Sequence, residues 1–326
     1  FMILVMFVHS LLILPKLRKP DALPNPQTEF NATTPLQETI PLSPPPPAWL
    51  HQKPTTLAKP IAPRQPASAG EPIVLAFYTP SDAASFPSLQ SHYQNITHLA
   101  PEWLSMRSFE EPLVTTPDRQ IIKFNSSANL KLLPVLSNLD GNQWQPEIVE
   151  DLARHPEKRP PFFAKLKDEL QAVDAAGVLV DWEQVDQAYR NELTSLLTDL
   201  ANYLHHEELE LWLCTPVGND IAVFDLDALA PVVDRFVALL FDENGEEDSP
   251  GPLASLPWWN AWLDVLLEHG APDQWIVGIG SYGYDWPRGD NATILSFTDV
   301  MARAGVAGTQ TVSAEAPLYQ PHFSYE

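Results

Sequence analysis

From residue 73 onward, short apolar runs alternate with amphipathic stretches. In stretches such as 161–175 and 187–205, apolar residues recur at intervals of three and four, the spacing of one helix face. The seven apolar runs are IVLAFY (73–78), ITHLAPEWLSM (96–106), LKLLPVLSN (130–138), GVLVDWE (177–183), LELWLCTP (209–216), RFVALLFDE (235–243) and QWIVGIGSYGYDW (274–286). Near-continuous apolar strands separated by helices are typical of a parallel sheet buried on both faces. The pattern therefore predicts an α/β fold.

Seven strand-and-helix units at this spacing predict a (β/α)8 TIM barrel over residues 73–326. No run after residue 286 has the pattern of an eighth strand, so we expect the barrel to be incomplete in this chain. A doubly wound open sheet is the alternative fold. No G-x-G-x-x-G sequence follows any of the runs, and this favours the barrel.

The first 72 residues have a different character. Residues 1–15 are mostly apolar and precede the basic sequence KLRK, which predicts a truncated signal or membrane-anchor segment, because a full span needs about 20 residues. Residues 16–72 are rich in proline, and 15 of the chain's 34 prolines lie between Pro15 and Pro72. Such a composition predicts a disordered, extended linker.

Charge and cysteine content restrict the possible partners. The chain carries a formal charge of -23, and residues 73–326, with 13 basic and 38 acidic residues, carry -25. Such an acidic surface repels phosphate backbones, so nucleic acid is not expected as a partner, whereas a neutral or cationic polymer is tolerated. The single cysteine, Cys214, cannot form an intrachain disulfide or a thiolate metal site. No H-E-x-x-H motif or similar cluster occurs, so neither a metal nor another cofactor is expected.

Two carboxylates end the fourth apolar run. In a strand over 177–183 the side chains of Leu179, Asp181 and Glu183 share one face. Barrel enzymes build their sites at the carboxyl ends of the strands. Two neighbouring carboxylates repel each other, which raises the pKa of one and lets it donate a proton near neutral pH. The pattern indicates a general acid, and the simpler alternative is a strand end that only caps the next helix.

The run GVLVDWE (177–183) resembles the fourth-strand signature of family 18 glycoside hydrolases, D-G-x-D-x-D-x-E. Other stretches resemble the same family in the expected order: VLAFY its first strand, LLFDE (239–243) its sixth-strand M-x-Y-D, and VGIGSYGYDW (277–286) its seventh strand with a Y-G-x-x-W end. The resemblance spans roughly 73–326. It is strongest to the family-18-like domain of bacterial membrane proteins that also carry a polysaccharide deacetylase domain and a family 2 glycosyltransferase.

The resemblance implies substrate-assisted, retaining hydrolysis of an N-acetylglucosamine polymer, in which the substrate's acetamido oxygen attacks the anomeric carbon. It implies that Glu183 is the general acid and that Asp181 orients the acetamido group. The candidate substrate-binding residues are Tyr78, Asn138, Asp242, Tyr284 and Trp286. Aromatic faces among them can stack on sugar rings, or can simply pack the top of the barrel.

Three positions depart from the family's pattern. Ala176 and Leu179 stand where the signature has its first two aspartates, and Phe241 replaces the tyrosine of M-x-Y-D. Leu179 removes a charge that would cycle a proton with Asp181, and Phe241 removes a hydrogen-bond donor whose loss can cost about two orders of magnitude in rate. A second hypothesis is therefore a catalytically impaired glycan-binding or scaffold domain of a polysaccharide synthase or deacetylase, and a structural spacer is a third.

The glycan hypothesis also sets the expected location. We expect residues 1–15 to anchor the chain in a membrane with the barrel outside the cytoplasm, and secretion is the alternative. Deacetylase and glycosyltransferase domains are expected further along the same chain. Trp258 and Trp262, four residues apart in PWWNAW, are expected to belong to the core.

Overall fold

A computed structural model describes residues 4–6, 72–141, 143–288, 291–306 and 320–325. Within them the strands are β1 (Leu4–Met6), β2 (Leu75–Tyr78), β3 (His98–Pro101), β4 (Leu104–Ser105), β5 (Val114–Thr115), β6 (Lys131–Leu132), β7 (Val135–Ser137), β8 (Leu139–Asp140), β9 (Gln143–Trp144), β10 (Gly177–Asp181), β11 (Glu210–Pro216), β12 (Arg235–Leu239), β13 (Trp275–Ile279), β14 (Tyr282–Asp285) and β15 (Thr293–Ser296). The helices are α1 (Ser85–His92), α2 (Arg119–Ala128), α3 (Pro146–Arg154), α4 (Arg159–Ala172), α5 (Arg190–His206), α6 (Leu226–Leu229), α7 (Leu256–Leu266) and α8 (Phe297–Val306).

Parallel strands form the wall of a barrel. The larger sheet has the order β1-β13-β12-β11-β10-β7-β4-β5, in which only β5 is antiparallel to its neighbour, and a smaller parallel sheet has the order β2-β3-β6. The sheets are continuous, because β3 and β4 are successive pieces of one barrel strand, as are β6 and β7. Between those pieces the Leu133 N–H donates to the Leu99 carbonyl at 2.9 Å. The predicted α/β barrel is confirmed.

The position beside β13 is filled from the amino end of the chain. Strand β1 pairs in parallel with β13, with Leu4 opposite Val277, and also lies beside β2. Among the described residues after 286, β15 forms an antiparallel hairpin with β14 instead of joining the wall. The structure therefore adds a strand that the apolar pattern did not predict.

The predicted domain boundaries fall mainly outside the described residues. Apart from residues 4–6, the segment 1–15 is not described, and the linker 16–72 is described only at Pro72. In the part of the chain that is described, no helix combines the length and apolar character needed to cross a membrane.

Successive side chains along β10 point alternately into the barrel interior and into the outer core between the strands and the helices. Leu179 is fully buried in the barrel interior, among inward-facing residues of the other strands such as Val135 and Trp212. Val178, Val180 and Trp182 lie in the outer core between the strands and the helices. The predicted phase of this strand is confirmed, and it directs Asp181 toward the inside of the barrel.

Helix α5 returns the chain from β10 to β11. The Asp186 side chain accepts a hydrogen bond from the Ala188 N–H at 2.8 Å and starts the turn that leads into α5. Fully buried leucines recur along the helix at three- and four-residue spacing and pack into the outer core: Leu193, Leu196, Leu197, Leu200 and Leu204. This packing fixes the helix against the strands and leaves the segment between β10 and α5 at the carboxyl edge of the barrel.

Helix α7 contributes two tryptophans to the same outer core. Trp258 and Trp262 are buried, with ring centroids 6.4 Å apart in an edge-to-face arrangement. The expectation that they are core residues is confirmed.

Candidate active site

The candidate general acid follows directly from the end of β10. Asp181 is the last residue of the strand and Glu183 lies two residues further. Gln184 has a φ of 59° and turns the chain away from the strand direction. Both acidic residues are half-buried, so a ligand at the top of the barrel can reach them.

Asn138 holds the backbone of the candidate acid in place. Its Oδ1 accepts a hydrogen bond from the Glu183 N–H at 2.9 Å, and its Nδ2 donates to the Glu183 carbonyl at 2.9 Å. Asn138 is fully buried at the end of β7. The sequence singled it out as a substrate-binding residue, but in the structure its amide group supports Glu183.

Burial and neighbouring charges raise the pKa values of the two acids to different extents. Burial raises the pKa of Asp181 to about 6, against a hydrogen bond to the Cys214 thiol that lowers it. Burial, followed by the charges of Asp181, Asp220 and Asp242, raises the pKa of Glu183 well above its ordinary value. Near neutral pH Asp181 is therefore mostly ionised, and its charge helps Glu183 to hold its proton to higher pH than an ordinary glutamate does. This is the direction that a general acid beside an anionic partner requires.

Three of the predicted binding residues meet beyond the ends of β12 and β13. The hydroxyls of Tyr282 and Tyr284 both donate to Asp242 Oδ1, the latter at 2.9 Å. Burial raises the pKa of Asp242, and these two hydrogen bonds oppose the rise. The ring centroids of Tyr284 and Trp286 are 5.4 Å apart, and Trp286 Nε1 donates to the Asp248 carbonyl at 3.0 Å. Asp242, Tyr284 and Trp286 thus form one half-buried wall of the site.

The structure does not bring Tyr78 together with these carboxylates. Its side chain lies in the outer core and its hydroxyl donates to Asp118 Oδ2 at 2.8 Å. The neighbouring residue Phe77 occupies the barrel interior. Since IVLAFY is apolar throughout, its sequence does not reveal which of the two alternating sets faces inward.

Several site residues were not singled out by the sequence. Thr79 Oγ1 donates to Glu102 Oε1 at 2.9 Å, and Thr79 is fully buried. Burial and the charge of Asp181 raise the pKa of Glu102 to about 8, opposed by the Thr79 hydrogen bond. Glu102 is the one carboxylate inside the apolar run 96–106, and it follows the last residue of β3. A single charged residue inside an apolar run is the signal that could have identified it. Asp220, in the turn Asp220–Val223 after β11, had no comparable signal.

The positions that depart from the family signature are apolar in the structure. Leu179 is fully buried, and Phe241 is 7% exposed and contacts Tyr282 edge to face, with centroids 5.9 Å apart. Within the described residues, no group of three or more His, Cys, Asp or Glu side chains is arranged to hold a metal ion. The chemistry that these side chains themselves offer is proton donation and stabilisation of positive charge.

Comparison with known proteins supports the architecture. No family model matches the chain. Among curated proteins of Bacillus subtilis, it is 23% identical over 202 residues to YdhD, covering 59% of this chain and 48% of that protein. It is 21% identical over 227 residues to the uncharacterized glycosylase YvbX, covering 66% of this chain and 65% of that protein. The chain thus spans between about half and two thirds of the length of these relatives.

Solved structures give the same result. A chitinase from Chromobacterium violaceum matches with a TM-score of 0.69 at 24% identity, covering 76% of this chain and 80% of that one. A tobacco class V chitinase in complex with NAG4 matches with a TM-score of 0.63 at 15% identity, covering 75% and 82%. At these identities the likeness shows the fold alone. The chain therefore has a chitinase-like (β/α)8 barrel fold.

Proposed function

We propose that the barrel is a retaining glycoside hydrolase that cleaves β-linked N-acetylglucosamine glycans, with Glu183 as general acid and Asp181 as its anionic partner. The observation that carries the proposal is the placement of both groups on the inward face at the end of β10, with the pKa of Glu183 raised well above its usual range. The similarity to chitinases, one of them crystallised with NAG4, supports this choice of substrate.

The first half of the reaction forms a cyclic intermediate. Glu183 donates its proton to the glycosidic oxygen as the bond from that oxygen to the anomeric carbon breaks. The substrate's acetamido oxygen forms a bond to the same carbon, giving an oxazolinium ion. In this step the ionised Asp181 accepts a hydrogen bond from the acetamido N–H and offsets the positive charge.

The second half regenerates the enzyme. The Glu183 carboxylate takes a proton from a water molecule, whose oxygen attacks the anomeric carbon and opens the ring of the intermediate. Two displacements at one carbon retain its configuration. Asn138 contributes by fixing the Glu183 backbone, because general acid catalysis depends on the distance between the acid and the leaving oxygen.

The test is release of reducing ends from N-acetylated oligosaccharides of the β-1,4 and β-1,6 series. We expect turnover by the wild-type chain, loss of turnover with Glu183→Gln, and wild-type rates with Glu192→Gln, which removes an exposed glutamate on α5. A wild-type chain as inactive as Glu183→Gln on both series would overturn the proposal.

The buried apolar side chains of Leu179 and Phe241 favour a second candidate, a glycan-binding or scaffold domain that no longer turns over. This candidate predicts oligosaccharide binding that survives Glu183→Gln and weakens with Trp286→Ala. Measurable wild-type turnover would rule it out. For either candidate we propose a location outside the cytoplasm.

A further inference from the structure

The β12–α7 loop, residues 244–252, lies in the connection that follows β12, and hydrogen bonds close it at its base. Glu243 and Ser255, at the two ends of the loop, are both buried. The Glu243 N–H donates to the Leu253 carbonyl at 2.8 Å, and the Glu243 carboxylate accepts from the Ser255 N–H at 2.5 Å and from the Ser255 hydroxyl at 3.1 Å. Compact surface loops whose ends lie close together are frequently functional.

Contacts within the β12–α7 loop fix the backbone near its tip. Asn244 Nδ2 donates to the Pro252 carbonyl at 2.8 Å, which joins the two halves of the loop. Gly251 lies directly against the Asn244 side chain, and a Cβ atom at Gly251 would collide with it. The Gly245 N–H donates to Asp248 Oδ2 at 2.8 Å, and the Asp248 N–H donates to the Gly245 carbonyl at 3.2 Å. The position of the Asp248 carbonyl therefore depends on these contacts.

The Asp248 carbonyl holds the indole of Trp286. Trp286 Nε1 donates to it at 3.0 Å. The indole also contacts the Tyr284 ring, with centroids 5.4 Å apart, and the Tyr284 hydroxyl donates to Asp242 Oδ1 at 2.9 Å. Trp286 is nevertheless only half-buried. Because the protein uses the one hydrogen-bond donor of this side chain, the indole is left to contact a ligand through its apolar face.

We propose that the β12–α7 loop holds Trp286 as the stacking platform of a further sugar subsite, beyond the sugar bound at the two catalytic carboxyl groups, and that Asn244 is a positioning residue for this platform. The inference rests on the proposed function. An aromatic face binds a sugar ring by covering its C–H groups, so the contact depends on the orientation of the ring. A ring that is already held in the binding orientation loses less conformational entropy when the ligand binds. The β12–α7 loop therefore sets a preference for long over short oligosaccharides.

The positioning role is measured on the Trp286 indole N–H in the full chain. The signal is identified in ¹⁵N NMR spectra by its loss in Trp286→Phe. We expect hydrogen exchange of this N–H with water to be faster by about tenfold or more in Asn244→Ala, because a loosened loop no longer keeps the Asp248 carbonyl on it. Asn191→Ala, the same substitution at an exposed position on α5, should leave the rate unchanged. An unchanged rate in Asn244→Ala would overturn the positioning role.

Sugar binding is measured by isothermal titration calorimetry with N-acetylglucosamine dimers and hexamers of the β-1,4 and β-1,6 series, in Glu183→Gln protein so that nothing is cleaved. We expect the hexamer of one series to bind about tenfold or more tightly than its dimer. Trp286→Ala should abolish this ratio and Asn244→Ala should lower it by about threefold or more, whereas a general loss of structure would weaken both ligands alike. Hexamers that bind no more tightly than dimers, or not at all, would overturn the inference, as would a ratio that Asn244→Ala leaves unchanged.

A double substitution tests whether Asn244 acts through the indole N–H. Trp286→Phe keeps an aromatic face but has no N–H donor. In Trp286→Phe protein we expect Asn244→Ala to change the hexamer-to-dimer ratio by less than about twofold, because the contact that connects the two residues is already lost. An undiminished effect of Asn244→Ala would overturn the inference. Neither measurement needs turnover, so an inactive wild-type chain would refute the hydrolase proposal, and exchange and binding would still decide the role of the loop.

Discussion

Substituting Asp181 by Asn should make the stability of the protein less dependent on pH. In the folded state burial raises the pKa of Asp181 from 3.8 to about 6, so the folded protein keeps a proton that the unfolded chain releases. The wild-type chain therefore loses stability as the pH rises through this interval, and the loss is complete above it. Asp181→Asn removes the group and with it this loss.

The size of the effect follows from the two pKa values. One pH unit between the folded and the unfolded pKa corresponds to about 1.4 kcal/mol, so a rise from 3.8 to about 6 corresponds to about 3 kcal/mol. The charge of Asp181 also raises the pKa of Glu183, so the substitution relieves a second penalty in the same direction. We expect the unfolding free energy of Asp181→Asn relative to wild type to increase by about 2–3 kcal/mol between pH 4 and pH 8.

The assay is urea unfolding followed by tryptophan fluorescence, which the chain's 10 tryptophans make sensitive. Comparing the same two proteins at both pH values cancels any packing cost of the Asn side chain that does not depend on pH. Asp168→Asn, on the surface of α4 with a side chain that is 71% exposed, is the matched control for the loss of one carboxylate. A pH-independent difference, or one equal to that of Asp168→Asn, would refute the account of Asp181 as a charge destabilised by burial.

Two further substitutions test the walls of the site. Asn138→Ala removes both hydrogen bonds to the Glu183 backbone and should lower the unfolding free energy, measured by urea unfolding, by about 1–3 kcal/mol. In steady-state kinetics it should lower kcat and change KM less. An unchanged kcat would contradict the role of Asn138. Tyr284→Phe removes one of the two tyrosine hydroxyls that donate to Asp242, and it should raise the pKa of Asp242 further. The measurement is the ¹³C titration of the Asp242 carboxyl carbon, whose midpoint should move to higher pH. No shift would mean that this hydrogen bond is absent in solution.

The barrel could be predicted because its strands are apolar on both faces and its helices on one. The phase of β10 could also be predicted, since Asp181 and Glu183 mark which alternate positions face the interior. The run IVLAFY has no such mark, and the sequence could not show that Phe77 rather than Tyr78 points inward. Alternation gives two sets of side chains, and only tertiary packing decides between them.

Contacts between residues far apart in the sequence could not be predicted for a related reason: they depend on tertiary packing. Asn138 lies at a strand end as expected, but its partner is a backbone group 45 residues away. Glu102 and Thr79 come from adjacent strands and form a hydrogen bond that depends on the register of the barrel. Strand β1 pairs with β13 in the barrel wall. The sequence could not predict this, because the apolar composition of residues 1–15 is equally typical of a signal or anchor segment.

The central claim is that Glu183 is the general acid of a retaining hydrolase, and the stereochemistry of the product tests it most directly. Hydrolysis of a β-linked N-acetylglucosamine oligosaccharide followed by ¹H NMR in real time reports which anomer appears before mutarotation. We predict that wild-type protein releases the β-anomer first and that Glu183→Gln releases no product. An α-anomer as the first product, or undiminished release by Glu183→Gln, would contradict the account.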